Sequence, residues 1–209
     1  MRINTVDKAR KAPGKCGKCG KDIAVGEPYR WIQFRYGGKR IRCAKPECHF
    51  RPSEMTQSDK LSRLYSIQEN LEDMVSAGGF SLDDVSSALE EGAGEARDVA
   101  QEYRDSAQNI EDGFGNRTSM CDELEEKADA IESWADELEN AVRSLDDFDE
   151  DAARDDATSE IEADIEAHAD SEESTADSLD IEERVKEKRA EWEEEVGQAV
   201  NDAADSLSI

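Results

Sequence analysis

The chain has few of the residues from which a large hydrophobic core is built. Aromatic residues make up 6% of its 209 residues, whereas charged residues make up 38%. No apolar run approaches the roughly 18 residues of a transmembrane helix, and the residues after Met1 lack the apolar stretch of a secretory signal. We therefore expect a bound metal and short helical seams to order the chain, rather than a single large core.

Residues that suit catalysis are also scarce. The chain has two histidines, and they accompany no glycine-rich phosphate loop and no Ser-His-Asp arrangement. Acidic pairs are abundant, but a general acid needs a pocket that shifts its pKa, and no apolar segment surrounds any pair. The sequence therefore predicts that the protein is not an enzyme.

Positive charge is concentrated at the N-terminal end. Residues 1–52 hold 14 lysines and arginines against four acidic residues, a net charge of +10, whereas residues 53–209 hold 12 against 49, a net charge of −37. This partition predicts a head that binds polyanions and a body that repels them. A second interpretation of the acidity is adaptation to the salty cytoplasm of a halophilic archaeon or its virus.

Four of the five cysteines form two close pairs in the basic head. Two residues separate Cys16 from Cys19, and four separate Cys43 from Cys48, with 23 residues between the pairs. Such spacing is typical of a closed zinc site, although His49 is an alternative fourth ligand and two disulfides are an alternative use of the cysteines. Without a secretory signal we expect a reducing cytoplasm, and hence zinc in a structural role.

Between the two pairs, the sequence predicts a β-hairpin. Residues 29–36 alternate aromatic, basic and apolar side chains, Gly37 and Gly38 form a two-residue turn, and residues 39–43 return antiparallel. Lysine and arginine bind phosphates and exposed aromatic rings stack on bases, so the hairpin is a candidate nucleic-acid surface. The alternative is that the aromatic side chains form the core of the finger while the cations keep it soluble. The candidate contacts are Arg30, Trp31, Arg35, Lys39, Arg40, Arg42, Lys45 and Arg51.

The segment from Cys16 to Tyr29, with Ile23 and Gly26 between them, is similar to the opening of poly(ADP-ribose) polymerase-type and other treble-clef fingers. The resemblance implies DNA contacts from basic and apolar residues around the finger. The chain departs from that family in its second pair, which is Cys-x4-Cys here and His-x-x-Cys there. The wider layout of residues 14–145 resembles small zinc-finger proteins of tailed phages and archaeal viruses, which implies a viral origin and no particular activity.

After residue 52 the apolar residues recur with helical spacing. The heptad-like pattern predicts three antiparallel helices of a bundle or coiled coil, with Ser81 and Asp84 as a capping box. The predicted fold class is a small zinc-bound β-hairpin finger followed by a mainly α antiparallel helical bundle. The predicted segments are a basic leader (1–15), a zinc finger (16–52), a three-helix bundle (53–145), an acidic linker (146–178) and an amphipathic helix (179–206).

Two functions from different classes are compatible with these features. The first is a zinc-stabilised adaptor whose head binds nucleic acid while its helices bind a protein or a second copy of the chain. The second is a protein-interaction or assembly component, or a DNA-mimicking factor directed at a host, in which the finger is purely structural. Neither function involves a membrane or a small-molecule substrate.

Overall fold

The computed structural model divides the chain into two compact units, Met1–Glu69 and Asn70–Ile209. It describes residues 2–143, 145–167 and 178–207, and the side chains of 164–167 and 178–180 lie outside the description. The first unit is a small antiparallel β structure that contains the four clustered cysteines, and helices follow it. This confirms the predicted fold class.

Five short strands build the first unit. Strands β1, β4 and β5 form an antiparallel sheet in that order, and β2 pairs with β3 in a separate hairpin. A 3-10 turn (Pro46–Cys48) and the short helix α1 (Pro52–Met55) follow the sheet. The strands are β1 (Asn4–Val6), β2 (Gly14–Lys15), β3 (Asp22–Ile23), β4 (Tyr29–Gln33) and β5 (Lys39–Cys43).

Two details of this unit correct the sequence prediction. The leader 1–15 is not a separate segment, because Asn4, Thr5 and Val6 of β1 lie opposite β4 and the leader also contains β2. The turn between β4 and β5 is also longer than the two glycines, since it includes residues 34–38. The Gln33 side-chain amide donates to the Gly37 carbonyl at 2.9 Å, which closes this longer turn.

Apolar side chains cover both faces of the three-stranded sheet. On one face, Ile32 packs with Phe34 and Phe50. On the other face, Tyr29 and Ile41 pack against the cysteine cluster. Each of these cores is very small, so the first unit needs a further source of stability.

Five longer helices follow, and their pairing corrects part of the predicted bundle. Helix α3 pairs with α4, α5 pairs with α6, and α4 also contacts α6. The contact between α4 and α6 is not part of the predicted three-helix bundle, which ended at residue 145. The helices are α2 (Asp59–Ala77), α3 (Leu82–Phe114), α4 (Ser119–Asn140), α5 (Glu150–Ala167) and α6 (Ser178–Asp205).

The α3–α4 pair follows the periodicity of its sequence closely. The predicted capping box is present, because Ser81 accepts a hydrogen bond from the Asp84 amide and Asp84 accepts one from the Ser81 amide. Helix α3 continues without interruption past Gly92 and ends at Gly115, whose φ of 69° suits glycine. Small side chains fill much of the seam, and Trp134 of α4 is its largest fully buried side chain.

The acidic segment 146–178 contains a helix where the sequence predicted a solvated linker. Ala153 and Ala157 of α5 are buried against Val185 of α6, with Phe148 and Ile181 packed beside them. Alanine residues let the two helices approach closely. The predicted linker has only a few large apolar residues, which are too few for hydrophobic periodicity to indicate a helix. Residues 168–177 of the predicted linker lie outside the described residues.

The last helix packs back on the other helices of its unit. Val196, Val200 and Ala204 of α6 are buried, and the Trp134 indole donates to the Ala203 carbonyl at 2.9 Å. The sequence had left open whether this helix returns to the bundle, and these contacts answer that question. None of the helices in the described part of the chain is long and apolar enough to cross a membrane.

The boundary of the first unit lies beyond the predicted end of the finger at residue 52. Ser53 donates to the carboxylate of Glu69 through both its backbone amide, at 2.9 Å, and its hydroxyl, at 2.7 Å. Arg51 lies 3.9 Å from the same carboxylate. The first part of α2 therefore belongs to the head, and the unit ends at Glu69 within that helix.

Candidate metal centre and basic hairpin

Backbone hydrogen bonds shape the first cysteine pair. The Cys16 amide donates to the Lys21 carbonyl at 2.8 Å, and the Gly20 amide donates to the Cys16 carbonyl at 2.9 Å. Gly20 has a φ of +71°, which favours glycine at this tight turn. The Gly17 amide donates to the Ile41 carbonyl at 2.9 Å, and this bond joins the first pair to strand β5, where the second pair begins.

The second cysteine pair lies at the end of β5 and in the turn after it. Cys43 is the last residue of the strand, and Cys48 is the last residue of the 3-10 turn that Pro46 begins. The Cys48 amide donates to the Lys45 carbonyl at 3.0 Å. This tight turn reverses the chain, so the second pair faces the first.

The four sulfur atoms lie within 4.8 Å of one another. The Sγ atoms of Cys19 and Cys43 are 3.7 Å apart, too far for a disulfide, and all five cysteines are free thiols. Sulfurs at about 2.3 Å from a tetrahedrally coordinated zinc lie about 3.8 Å from each other. The spacing of the cluster therefore fits the size of a four-thiolate metal site.

Burial and hydrogen bonding separate the acidities of the thiols. Burial tends to raise the pKa of Cys16, but hydrogen bonds from backbone amides, Cys19 and Cys43 among them, lower it to about 6. Burial raises the pKa of Cys48 to about 12, and the neighbouring cysteine side chains add to this effect. Four adjacent thiols cannot all ionise without a compensating charge, and a divalent cation would supply that charge.

The ligand set resolves the alternative that the sequence left open. Cys48 is fully buried in the cluster with Cys16 and Cys43. His49 is exposed and lies outside the cluster. Cys121 is buried in helix α4. Thus Cys16, Cys19, Cys43 and Cys48 are close enough to hold a metal ion.

The predicted nucleic-acid residues separate into two groups. Arg35, Lys39, Arg40 and Lys45 are exposed. Among them, Arg40 also donates to the Glu54 carbonyl at 3.1 Å, and Lys45 lies 3.3 Å from the carboxylate of Glu47. This pairing with Glu47 is the main reason that the pKa of Lys45 is raised.

The remaining arginines lie partly or wholly inside the head. Arg42 is 7% exposed and forms an ion pair with Glu54. The prediction that Arg42 belongs to the exposed nucleic-acid surface is therefore wrong. Arg30 and Arg51 are half-buried. The two strand arginines, Arg30 and Arg42, lie directly opposite each other, a placement of like charges that the ion pair with Glu54 offsets.

The exposed aromatic residue is also a different one from that expected. Trp31, the aromatic residue among the candidate nucleic-acid contacts, is half-buried, and the Lys39 ammonium lies 4.1 Å from the centre of its ring. Tyr36 is 82% exposed, and the Arg35 guanidinium lies 5.2 Å from its ring centre. The position of Tyr36 next to the predicted glycine turn was the available signal, because side chains at a hairpin tip have little structure to pack against.

No family model matches the chain, and no curated protein or solved structure matches it either. The similarity of the first knuckle to poly(ADP-ribose) polymerase-type fingers therefore depends only on the residues quoted for it. The cysteine cluster and the exposed side chains of the head carry the functional argument.

Proposed function

We propose that the protein is a zinc-stabilised, non-enzymatic adaptor whose head binds nucleic acid through the β4–β5 hairpin. The observation that carries this proposal is the tip of that hairpin, where the exposed ring of Tyr36 lies beside Arg35 and the exposed cations Lys39 and Arg40 begin the next strand. An exposed ring stacks on an unpaired base, and the surrounding cations bind the phosphates. This combination favours single-stranded nucleic acid.

In this proposal, zinc is the metal of the cysteine cluster and its role is structural. Four thiolates complete the usual coordination of zinc and leave no position for a substrate. Three of the four cysteines are buried, and only Cys19 is exposed. The metal would hold β5 and the knuckle together, so that the hairpin presents its cations in a fixed arrangement.

Charge within the second unit supports a different role for the helices. Residues 70–209 contain 46 acidic residues and ten basic ones, so this unit repels nucleic acid. Protein contact is the function we assign to it, as expected of an adaptor in a cytoplasm or, for a viral protein, in that of its host.

The test is binding of single-stranded and double-stranded DNA and RNA by the zinc-loaded full chain across a range of NaCl concentrations. We expect the affinity to fall linearly with salt on logarithmic axes. Tyr36→Ala should weaken binding of single strands by about 1–3 kcal/mol, the usual contribution of one stacked base. Val25→Ala is the matched control, because Val25 is 65% exposed in a different turn of the head.

Two results would contradict the proposal. One is that the wild-type chain binds none of the four nucleic acids at low salt. The other is that Tyr36→Ala and Val25→Ala bind single strands equally well, which would remove the role given to the hairpin tip.

A second function, a protein-assembly component with a purely structural finger, has one observation in its favour. Phe114 is 75% exposed and Met120 is 56% exposed, and they flank the turn between α3 and α4. Large apolar side chains at an exposed turn suit a protein interface. If this function is correct, Phe114→Ser with Met120→Ser should change the mass of the protein measured by light scattering and leave nucleic-acid binding unchanged.

A further inference from the structure

A groove of about 450 Å³ lies along strand β5 in the head. It is lined by Lys15, Gly17, Lys39, Arg40, Ile41 and Arg42. Four of these six residues are cations, and none is acidic. Two of them, Lys15 and Gly17, come from the metal knuckle and the strand before it, and were not among the residues that the sequence predicted to bind nucleic acid.

Assembly of the groove depends on the first cysteine pair. The Gly17 amide bonds to the Ile41 carbonyl, and this contact brings Lys15 beside the strand that carries Lys39 and Arg40. Four cations and no carboxylate line the groove, so its electrostatic potential attracts an anion. The groove therefore has the charge and the donor groups of a site for a phosphate group.

Arg42 gives the groove a rigid side. Its guanidinium pairs with Glu54 and lies 5.4 Å from the ring centre of Phe50. A Cβ atom on Gly17 would lie 2.7 Å from Nη1 of Arg42, so the absence of a side chain at position 17 makes room for the guanidinium. The Nε atom of Arg42 is buried and has no hydrogen-bond partner among the described residues, which leaves one donor of this arginine unmet.

We propose that this groove is a phosphate site which binds a backbone phosphate of the nucleic acid, with Lys15, Lys39 and Arg40 as contacts and Gly17 and Arg42 as positioning residues. The proposal rests on the proposed function and names the part of the head that holds the sugar-phosphate chain. It also assigns the metal knuckle a direct share in the binding surface.

The test compares two triple variants of the zinc-loaded full chain that remove the same charges. The groove variant is Lys15→Gln, Lys39→Gln and Arg40→Gln. The control is Lys8→Gln, Arg10→Gln and Lys11→Gln, which changes three exposed cations that do not line the groove. The groove variant should lower the slope of log affinity against log salt by about three, roughly one for each phosphate-bound cation, and the control by less than one.

A second pair of variants tests the positioning residues without changing the charge. Gly17→Ala brings a methyl group against Arg42 and should weaken binding severalfold. Gly94→Ala is the matched control, since Gly94 lies in α3 outside the head, a Cβ atom there meets nothing within 4 Å and its φ is not positive. Zinc content and thermal stability are measured for both variants, and a loss of binding at unchanged zinc content supports the groove.

The outcomes separate the groove from the proposed function. If both triple variants lower the slope equally, the groove is not a site, although nucleic-acid binding stands. Titration of the wild-type chain with inorganic pyrophosphate, followed by NMR of the Gly17 and Ile41 amides, covers the opposite case. Shifts there without any binding of nucleic acid would keep a phosphate site and overturn the proposed function, and no binding of either ligand would overturn both.

Discussion

The two units achieve order in different ways, although both lack a large core. The head has two small apolar clusters, and three of the four clustered cysteines take part in one of them. The helical unit has a long seam between α3 and α4 in which many buried residues are small. A chain poor in aromatic residues thus has a cluster of candidate metal ligands in one unit and closely approaching helices in the other.

The units also differ in how they use their cations. In the helical unit, Arg97 lies between Asp136 and Glu139, both within ion-pair distance. In the head, Arg35 and Lys39 are exposed and lie over aromatic rings. The cations of the helical unit therefore stabilise the fold, whereas several cations of the head remain accessible to a partner.

Removing the metal should separate the two units most clearly. Chelation, or Cys43→Ser, is expected to unfold the head, since structural zinc contributes about 10–16 kcal/mol in isolated zinc fingers. The helical unit should keep its helices because its seam contains no metal ligand. Two-dimensional amide NMR would show loss of dispersed head signals, while circular dichroism at 222 nm retains most of its intensity.

The control for this experiment is the fifth cysteine. Cys121 lies in helix α4, outside the cysteine cluster. The Cys121→Ala variant should therefore still bind one zinc ion per chain. A head that keeps its dispersed signals without metal would contradict the structural role of the ion.

The reverse experiment destabilises the helical unit alone. Leu138→Ala removes a fully buried side chain from α4 and should cost about 2–5 kcal/mol of unfolding free energy. Urea denaturation followed at 222 nm measures this loss, and zinc content reports on the head. Met120→Ala, at a position that is 56% exposed, should cost far less, and an equal cost would mean that the seam is not the core of this unit.

Salt should act on the two units with opposite signs. Raising NaCl weakens repulsion among the 46 acidic residues of residues 70–209 and should raise the melting temperature of the helical unit. Under the proposed function, the same change should weaken binding of nucleic acid by the head. A melting temperature that falls with salt would show that the ion pairs outweigh the repulsion.

The smallest expected effect is on a single ion pair. Hydrogen bonding to the Arg97 guanidinium holds the pKa of Glu139 below its ordinary value. The pair therefore stabilises the fold above the unfolded-state pKa of a glutamate, and this stability is lost as the pH falls through the lowered pKa of the folded state.

Glu139→Gln should consequently lower the melting temperature slightly at pH 7 and have no effect in acid below that pKa. Glu137→Gln is the control, because Glu137 is exposed on the same turn. The pair has no stabilising role if the two variants melt at the same temperature at pH 7.

Sequence reasoning succeeded where one spacing determines the structure. The spacing of the cysteines led to the cluster, and Ser81 with Asp84 led to the start of α3. It was wrong where tertiary contacts decide between alternatives. The acidic segment 146–178 is one case, because Ala153 and Ala157 of α5 are buried against Val185 of α6.

The burial of Arg42 illustrates the same limit within the candidate site. Arg40, two residues before it and on the same face of β5, is an exposed cation, so strand alternation predicted that Arg42 is exposed as well. Its ion pair with Glu54 joins residues that are 12 apart, and the groove beside it requires a contact between the knuckle and β5. Neither relation has a local signature in the sequence.

The ion pairs between α3 and α4 do not by themselves determine the register of the two helices. Arg97 and Arg104 are seven residues apart. Their acidic partners on α4 are also seven residues apart, because Arg104 pairs with Asp129 and Glu132 and Arg97 pairs with Asp136 and Glu139. A repeat of one heptad fixes which faces of the helices meet, but a slide of seven residues would present another arginine to another acidic pair. The unique register must therefore come from a feature that does not repeat, namely the short connection that begins at Gly115.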